Sequence, residues 1–315
     1  MADSCVEVVT VTLNPAIDQT VIIPRFEAGK VNRVEDTRSD PGGKGVNVAS
    51  ILADAGHTVA VTGFLGRDNA IPFEDLFARK GIVDRFVRIA GQTRVGIKIS
   101  DPVEQRTTDI NFPGQAPSAD DVDALMRTLE ATDGSWFVLS GSIPPGVDAS
   151  IYRTLVAGLK TRGRKVLLDT SGEPLRLALE VAPDAIKPNI HELEVLVDRA
   201  LPDADSVLAA VRPLQERGIR LIVVSMGSLG ACFVADRTVV TARPPRVDVK
   251  STVGAGDAMV AGIVAAQLRG ATLPTCARLA TAFSLDAITH IGSGLSAPSA
   301  IDGLMGAVVV EERGT

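Results

Sequence analysis

Aromatic side chains are scarce in this chain. They make up 3% of its 315 residues, with one Trp and one Tyr. A core of this size must then be built from Ala, Val, Leu and Ile. A basic excess is missing too: the net charge is −6. That argues against nucleic acid as the main ligand, because a phosphate backbone needs a surplus of Lys and Arg. The three cysteines, Cys5, Cys232 and Cys276, are far apart and odd in number, with no CxxC or Cys/His cluster. Neither a disulfide framework nor a zinc site is suggested, and a reducing compartment fits. His57, His191 and His290 have no partner at a metal-ligand spacing and read as non-catalytic. No uninterrupted apolar run approaches a membrane span. The opening MADSCVEVVTVTL carries acids where a secretory signal has a basic region. The expected compartment is the cytoplasm, with no membrane or nucleic-acid partner.

What is present is an alternation. Apolar runs at residues 6–13, 58–66, 136–142, 165–171, 185–189 and 220–227 read as strands, each followed by a segment of helical periodicity. The stretch 45–57 reads as a helix rich in small residues. This pattern predicts an α/β fold with a mostly parallel sheet covered by helices on both faces. Residues 19–39 and 93–114 break the rhythm. They are β-like, the second with a turn near Asp101-Pro102, and predict a small antiparallel sheet inserted in one α/β domain spanning 1–315. Such a sheet suits a lid, an oligomer contact or a plain surface hairpin. The tail VVVEERGT is expected to fray.

Five glycine-rich or polar stretches fall at strand ends, where α/β proteins hold ligands. In KSTVGAGDAMVAGIVAAQL (250–268), Gly254, Ala255 and Gly256 leave backbone N–H groups free at the start of a helix whose dipole favours anions. Asp257 lies in the same field, which favours its ionised form. It can take a proton from a hydroxyl attacking a phosphate, or simply cap the helix. In DPGGKGVNVA (40–49), Gly42, Gly43 and Gly45 allow close approach. Asn47 suits sugar hydroxyls, and Lys44 suits a phosphate. In TLNPAID (12–18), Asp18 suits sugar hydroxyls or a local turn. In KPNIHELEVL (187–196), Asn189 and Glu192 suit Mg²⁺ through oxygen ligands and water, or a capping box. In VVSMGSLGA (223–231), Ser225, Gly227 and Gly230 suit a nucleotide or a tight turn.

In this order, these motifs resemble the PfkB branch of the ribokinase-type sugar kinases, over nearly the whole chain. TLNPAID, PGGKGVNVA and LSGSIPPGV (139–147) are most similar to the members that phosphorylate sugar phosphates. The resemblance implies a ribokinase-like core with a β-sheet lid, with ATP and Mg²⁺ as cofactors. By analogy Asp257 is the base, and Gly254, Ala255 and Gly256 form the anion hole. Asn189 and Glu192 organise Mg²⁺. Lys187, Ser225, Gly227 and Gly230 line the ATP site. Asp18, Gly42, Gly43, Lys44, Asn47 and Ser142 meet the sugar, and Lys30 and Arg94 hold the acceptor's existing phosphate. The activity implied is phosphorylation of fructose 1-phosphate at its 6-hydroxyl. The alternatives are tagatose 6-phosphate or fructose 6-phosphate as acceptor, or a sugar-phosphate-binding regulator without catalysis. A homodimer through the lid is also implied. One departure concerns SLDAITHIGSG (284–294), which lacks an asparagine often found in that region of the family.

Overall fold

The structure, a computed structural model, describes residues 6–290, 292 and 294–314. The runs VVTVT, VAVTGFLG and WFVLS are buried at every position, and they form the middle of one large sheet. From edge to edge the sheet runs Val309–Gly314, Thr238–Arg243, Ala231–Ala235, Leu221–Ser225, Ala185–Ile186, Lys165–Asp169, Trp136–Ser140, Val8–Thr12, Val59–Gly66 and Val83–Asp84. Val87–Ile89 pairs with the far end of Val59–Gly66. From Leu221–Ser225 to Val83–Asp84 neighbouring strands are parallel. Strand side chains point alternately to the two faces. Val8, Val59 and Val138 thus join one apolar cluster, with the helices Lys44–Asp54, Ala255–Leu268 and Leu273–Thr289. Val9, Ala60 and Phe137 join the other, with Ala119–Ala131, Ile151–Thr161 and Ala204–Glu216. Burial on both faces explains why these strands read as continuous apolar runs.

Three expectations are corrected. No α-helix follows Leu221–Ser225: a single 3-10 turn, Gly227–Leu229, leads into the antiparallel strands Ala231–Ala235 and Thr238–Arg243. The β-rich ACFVA and TVVTAR leave no helical period there. The tail does not fray, because Val309–Gly314 pairs antiparallel with Thr238–Arg243 and closes that edge.

The second sheet has four strands in the order Asp36–Gly42, Ala16–Ile22, Arg94–Asp101, Arg106–Asn111. The outer pairs are antiparallel but the central pair is parallel, so the sheet expected to be antiparallel is mixed. Asp101 ties it together. Its buried carboxylate accepts from the backbone N–H groups of Arg25, Phe26, Val103 and Glu104.

Candidate active site

The helix Ala255–Leu268 begins at Gly254, which adopts a left-handed φ of 78° and offers no capping side chain. The first N–H groups of any helix lack partners within it. Here they belong to Ala255, Gly256 and Asp257, beside a cleft of about 140 Å³ that Gly254 and Asn47 both line. Asp257 is the third helical residue, so it does not cap. Its Oδ2 accepts a hydrogen bond from Asn47 Nδ2 at 2.8 Å. Asn47 comes from the helix Lys44–Asp54, which Gly43 starts. Burial pushes the Asp257 pKa up to about 6, with the Asn47 bond, Lys44 and Lys187 working downward and the Asp169 charge upward. The expected ionising field of the helix is therefore outweighed by desolvation.

Below this pair lies a carboxylate that the motif reading passed over. Asp169 ends the strand KVLLD and is fully enclosed. Its Oδ2 is 3.1 Å from Lys44 Nζ, and its Oδ1 is 3.4 Å from Lys187 Nζ. Burial opposes the charge on Asp169, but Lys187 and Lys44 outweigh it and hold the pKa below the ordinary carboxylate value. Burial likewise acts against the charge on Lys44, and Asp169, Asp257 and Glu192 more than offset it. Lys44 is thus placed on Asp169 rather than beside Asp18. The one sign available from sequence was an acid closing an apolar strand.

Asp18 lines the far wall of the same cleft, on the strand Ala16–Ile22. A Cβ on Gly42 would lie 2.3 Å from Asp18 Oδ2, so the carboxylate rests on a residue that has none. Burial raises the Asp18 pKa, against the pull of Lys98 and Arg94. Arg94 donates to the carbonyls of Asn14 and Phe112. Asn14 Nδ2 in turn donates to Ser142 Oγ at 3.3 Å. Asp18, Gly42, Gly43, Asn47, Arg94 and Ser142 therefore gather around one end of the site. Lys30 does not join them: it lies 2.7 Å from Glu27, with its side chain 70% exposed. Its loop, outside the regular strands, carries it into solvent.

On the other side, Lys187 follows the strand Ala185–Ile186, and Ser225 ends Leu221–Ser225. Ser225 bridges to Asn189. Gly227 and Gly230 form the turn into the next strand. At Gly230 a Cβ would lie 1.9 Å from the Ala242 carbonyl oxygen, so a backbone crossing requires this glycine. Asn189 and Glu192 form a reciprocal capping box on the helix Ile190–Val197. Asn189 N donates to Glu192 Oε2 at 2.9 Å, leaving Oε1 for another partner. Among the described residues no three His, Cys, Asp or Glu side chains cluster tightly enough to hold a metal by themselves. A hard cation held by phosphate oxygens and water, with Glu192 as an outer oxygen donor, fits this set. His290, expected to be idle, also lines the cleft, and its Nε2 lies 3.2 Å from buried Asp286 Oδ2. No spacing in the sequence announced that pair beyond the His290/Asp286 step of four on a helix.

A helix start with free N–H groups, a buried acid and a polar cleft suit phosphoryl transfer on an α/β core. The pfkB family carbohydrate kinase pattern matches residues 8–300, and the chain belongs to that family. It is a sugar kinase. Among its relatives is a 1-phosphofructokinase from Rhodobacter capsulatus, 48% identical over 307 residues, covering 96% of this chain and 97% of that one. Among solved structures, phosphofructokinase-2 from Escherichia coli in complex with substrates and products superposes with a TM-score of 0.89 at 28% identity, covering 96% and 99% of the two chains. A possible 1-phosphofructokinase from Thermotoga maritima gives 0.86 at 31%, covering 98% and 99%.

Proposed function

We propose that this sugar kinase transfers the γ-phosphoryl group of ATP to the 6-hydroxyl of fructose 1-phosphate, giving fructose 1,6-bisphosphate and ADP. The observation that carries the reading is the Asp257–Asn47 pair at the glycine-started helix. It stands at one end of a cleft whose other wall bears Asp18 and Lys98.

The sugar lies across the cleft, with hydroxyls on Asp18 and Asn47, and Ser142 and the Gly42–Gly43 turn shaping its seat. Asp257 takes the proton from the attacking hydroxyl as its oxygen bonds to the γ-phosphorus and the bond to the ADP oxygen breaks. Asn47 keeps the receiving carboxylate aimed. The N–H groups of Ala255, Gly256 and Asp257, after the turn at Gly254, face the charge that gathers on the transferring group. Lys187, 3.4 Å from Asp169, lies beside the same region. Ser225, Gly227 and Gly230 border the nucleotide. Glu192 and Asn189 would hold Mg²⁺ through water, and the ion would neutralise phosphate charge when bound. Closure of the small sheet as a lid excludes water that would otherwise hydrolyse ATP.

The small sheet also supports a homodimer. Arg106–Asn111 is exposed along its whole length, and Ile110 within it and Phe112 just after it expose apolar side chains. An open edge beside apolar residues invites pairing. Sedimentation at micromolar protein checks this, and a monomer there would sink it. ATP as co-substrate supports a cytoplasmic location. Among the described residues no helix is long and apolar enough to cross a membrane.

The test is ADP release with Mg-ATP on fructose 1-phosphate, fructose 6-phosphate and tagatose 6-phosphate in parallel. Fastest turnover on the first, lost in Asp257→Asn, supports the reading. Preference for another acceptor overturns the specificity, and no turnover with intact sugar-phosphate binding leaves a regulator.

A further inference from the structure

The wall of the cleft formed by the small sheet holds a cation that the motifs did not single out. Lys98 sits in the strand Arg94–Asp101, opposite Thr20 on one neighbour and Asp109 on the other. Residues directly opposite in a sheet share a face, and so do residues two apart along a strand. Thr20, Lys98, Ser100 and Thr107, the last opposite Ser100, accordingly all line the cleft.

Lys250 lines the cleft from the Gly254 end, and the other cations near the small sheet are engaged. Lys30 is paired with Glu27, and Arg38 lies 2.6 Å from Asp40. Arg94 spends its guanidinium on two backbone carbonyls. The Lys98 ammonium makes no ion pair or hydrogen bond among the described residues, and it acts on Asp18 only through its field. A half-buried ammonium with three unused donors, flanked by the hydroxyls of Thr20, Ser100 and Thr107 as well as by the carboxylates of Asp18 and Asp109, suits a phosphate monoester. The cleft runs from this wall past Asn47 to Gly254. A sugar anchored by phosphate at Lys98 therefore presents its opposite end to the Asp257 side.

We infer that Lys98 binds the acceptor's existing phosphate and so sets the preference for a phosphorylated over a free sugar. This rests on the proposal that the acceptor is a sugar phosphate. Lys98→Met keeps length and removes charge. Its KM for fructose 1-phosphate rises roughly ten- to hundredfold, the loss of one charge-assisted contact. Its KM for ATP and its slow turnover of unphosphorylated fructose stay at the wild-type values, and Lys98→Arg recovers part of the loss. Calorimetric binding of fructose 1-phosphate without ATP weakens in the same ratio. An unchanged KM and binding constant, or equal losses on fructose and fructose 1-phosphate, overturn the inference. Where wild type prefers another phosphosugar, the acceptor assignment fails, and the same comparison with that sugar decides Lys98 separately. Wild-type preference for free fructose overturns both.

Discussion

Replacing Asp257 by Asn should remove activity and add stability. The carboxyl is 7% exposed, and its pKa rises from 3.8 to about 6. A carboxyl whose folded pKa lies above its unfolded value binds more protons in the folded state. Stability then falls as pH rises from about 4 to about 6, and stays reduced above that. The gap between 3.8 and about 6 amounts to about 3 kcal/mol, to order of magnitude. Asparagine keeps an oxygen for the Asn47 donor and carries no charge to desolvate. The variant should therefore melt about 4 °C higher at pH 7.5, with the gain shrinking toward pH 4.5. Its turnover should drop about 10²–10⁴-fold, as for loss of a general base. In the wild type, kcat/KM should fall on the acid side around pH 6, reaching about one-tenth of its plateau at pH 5. Paired thermal melts and pH–rate profiles measure all three. A destabilised variant at pH 7.5, or a wild-type profile flat down to pH 5, would refute the reasoning.

Three further perturbations test other parts of the site. Asp169→Asn strips the counter-charge from Lys44 and Lys187; because Lys44 is 40% exposed, the cost in a urea titration should be about 3 kcal/mol rather than more. An unchanged midpoint would mean that the lysines find other partners. Gly42→Ala puts a Cβ 2.3 Å from Asp18 Oδ2, so KM for the sugar should rise at least about tenfold while KM for ATP holds. Equal effects on both substrates would argue for general damage. Gly230→Ala forces a Cβ to within 1.9 Å of the Ala242 carbonyl at a φ of 94°, and should cost about 2–4 kcal/mol in denaturant. Sugar KM, measured where the variant is folded, should not change.

The sequence announces what is local. Strands buried on both faces read as apolar runs, so the large sheet is visible along the chain. The GAGD helix start and the Asn189–Glu192 box are each spelled within a few residues. The C-terminal strand was missed because VVVEERG has weak burial and gains its order only from pairing with Thr238–Arg243. Asp169 and Lys98 escaped for a similar reason. Each is one charged residue on a strand, and its meaning comes from partners elsewhere. Lys44 is 125 positions from Asp169, and Asn47 is 210 positions from Asp257. No periodicity links residues that far apart. Lys30 shows the converse: a motif position can match while the side chain faces solvent.

The acid in the first turn of the helix Ala255–Leu268 has a physical account. The helix field alone would keep Asp257 fully ionised, and a strongly ionised carboxylate is a poor proton acceptor. Burial favours the protonated form, while the Asn47 hydrogen bond, Lys44 and Lys187 favour the ionised one. The two effects meet at a pKa of about 6. That value leaves the group mostly ionised at neutral pH yet basic enough to accept a proton. The glycines before it contribute no charge of their own. In the proposed reaction their free N–H groups serve the phosphoryl oxygens, while the Asp257 carboxylate faces the hydroxyl. In the proposed reaction a single helix turn holds both functions, because the carboxylate is turned to Asn47 while Gly254 at the helix start lines the cleft.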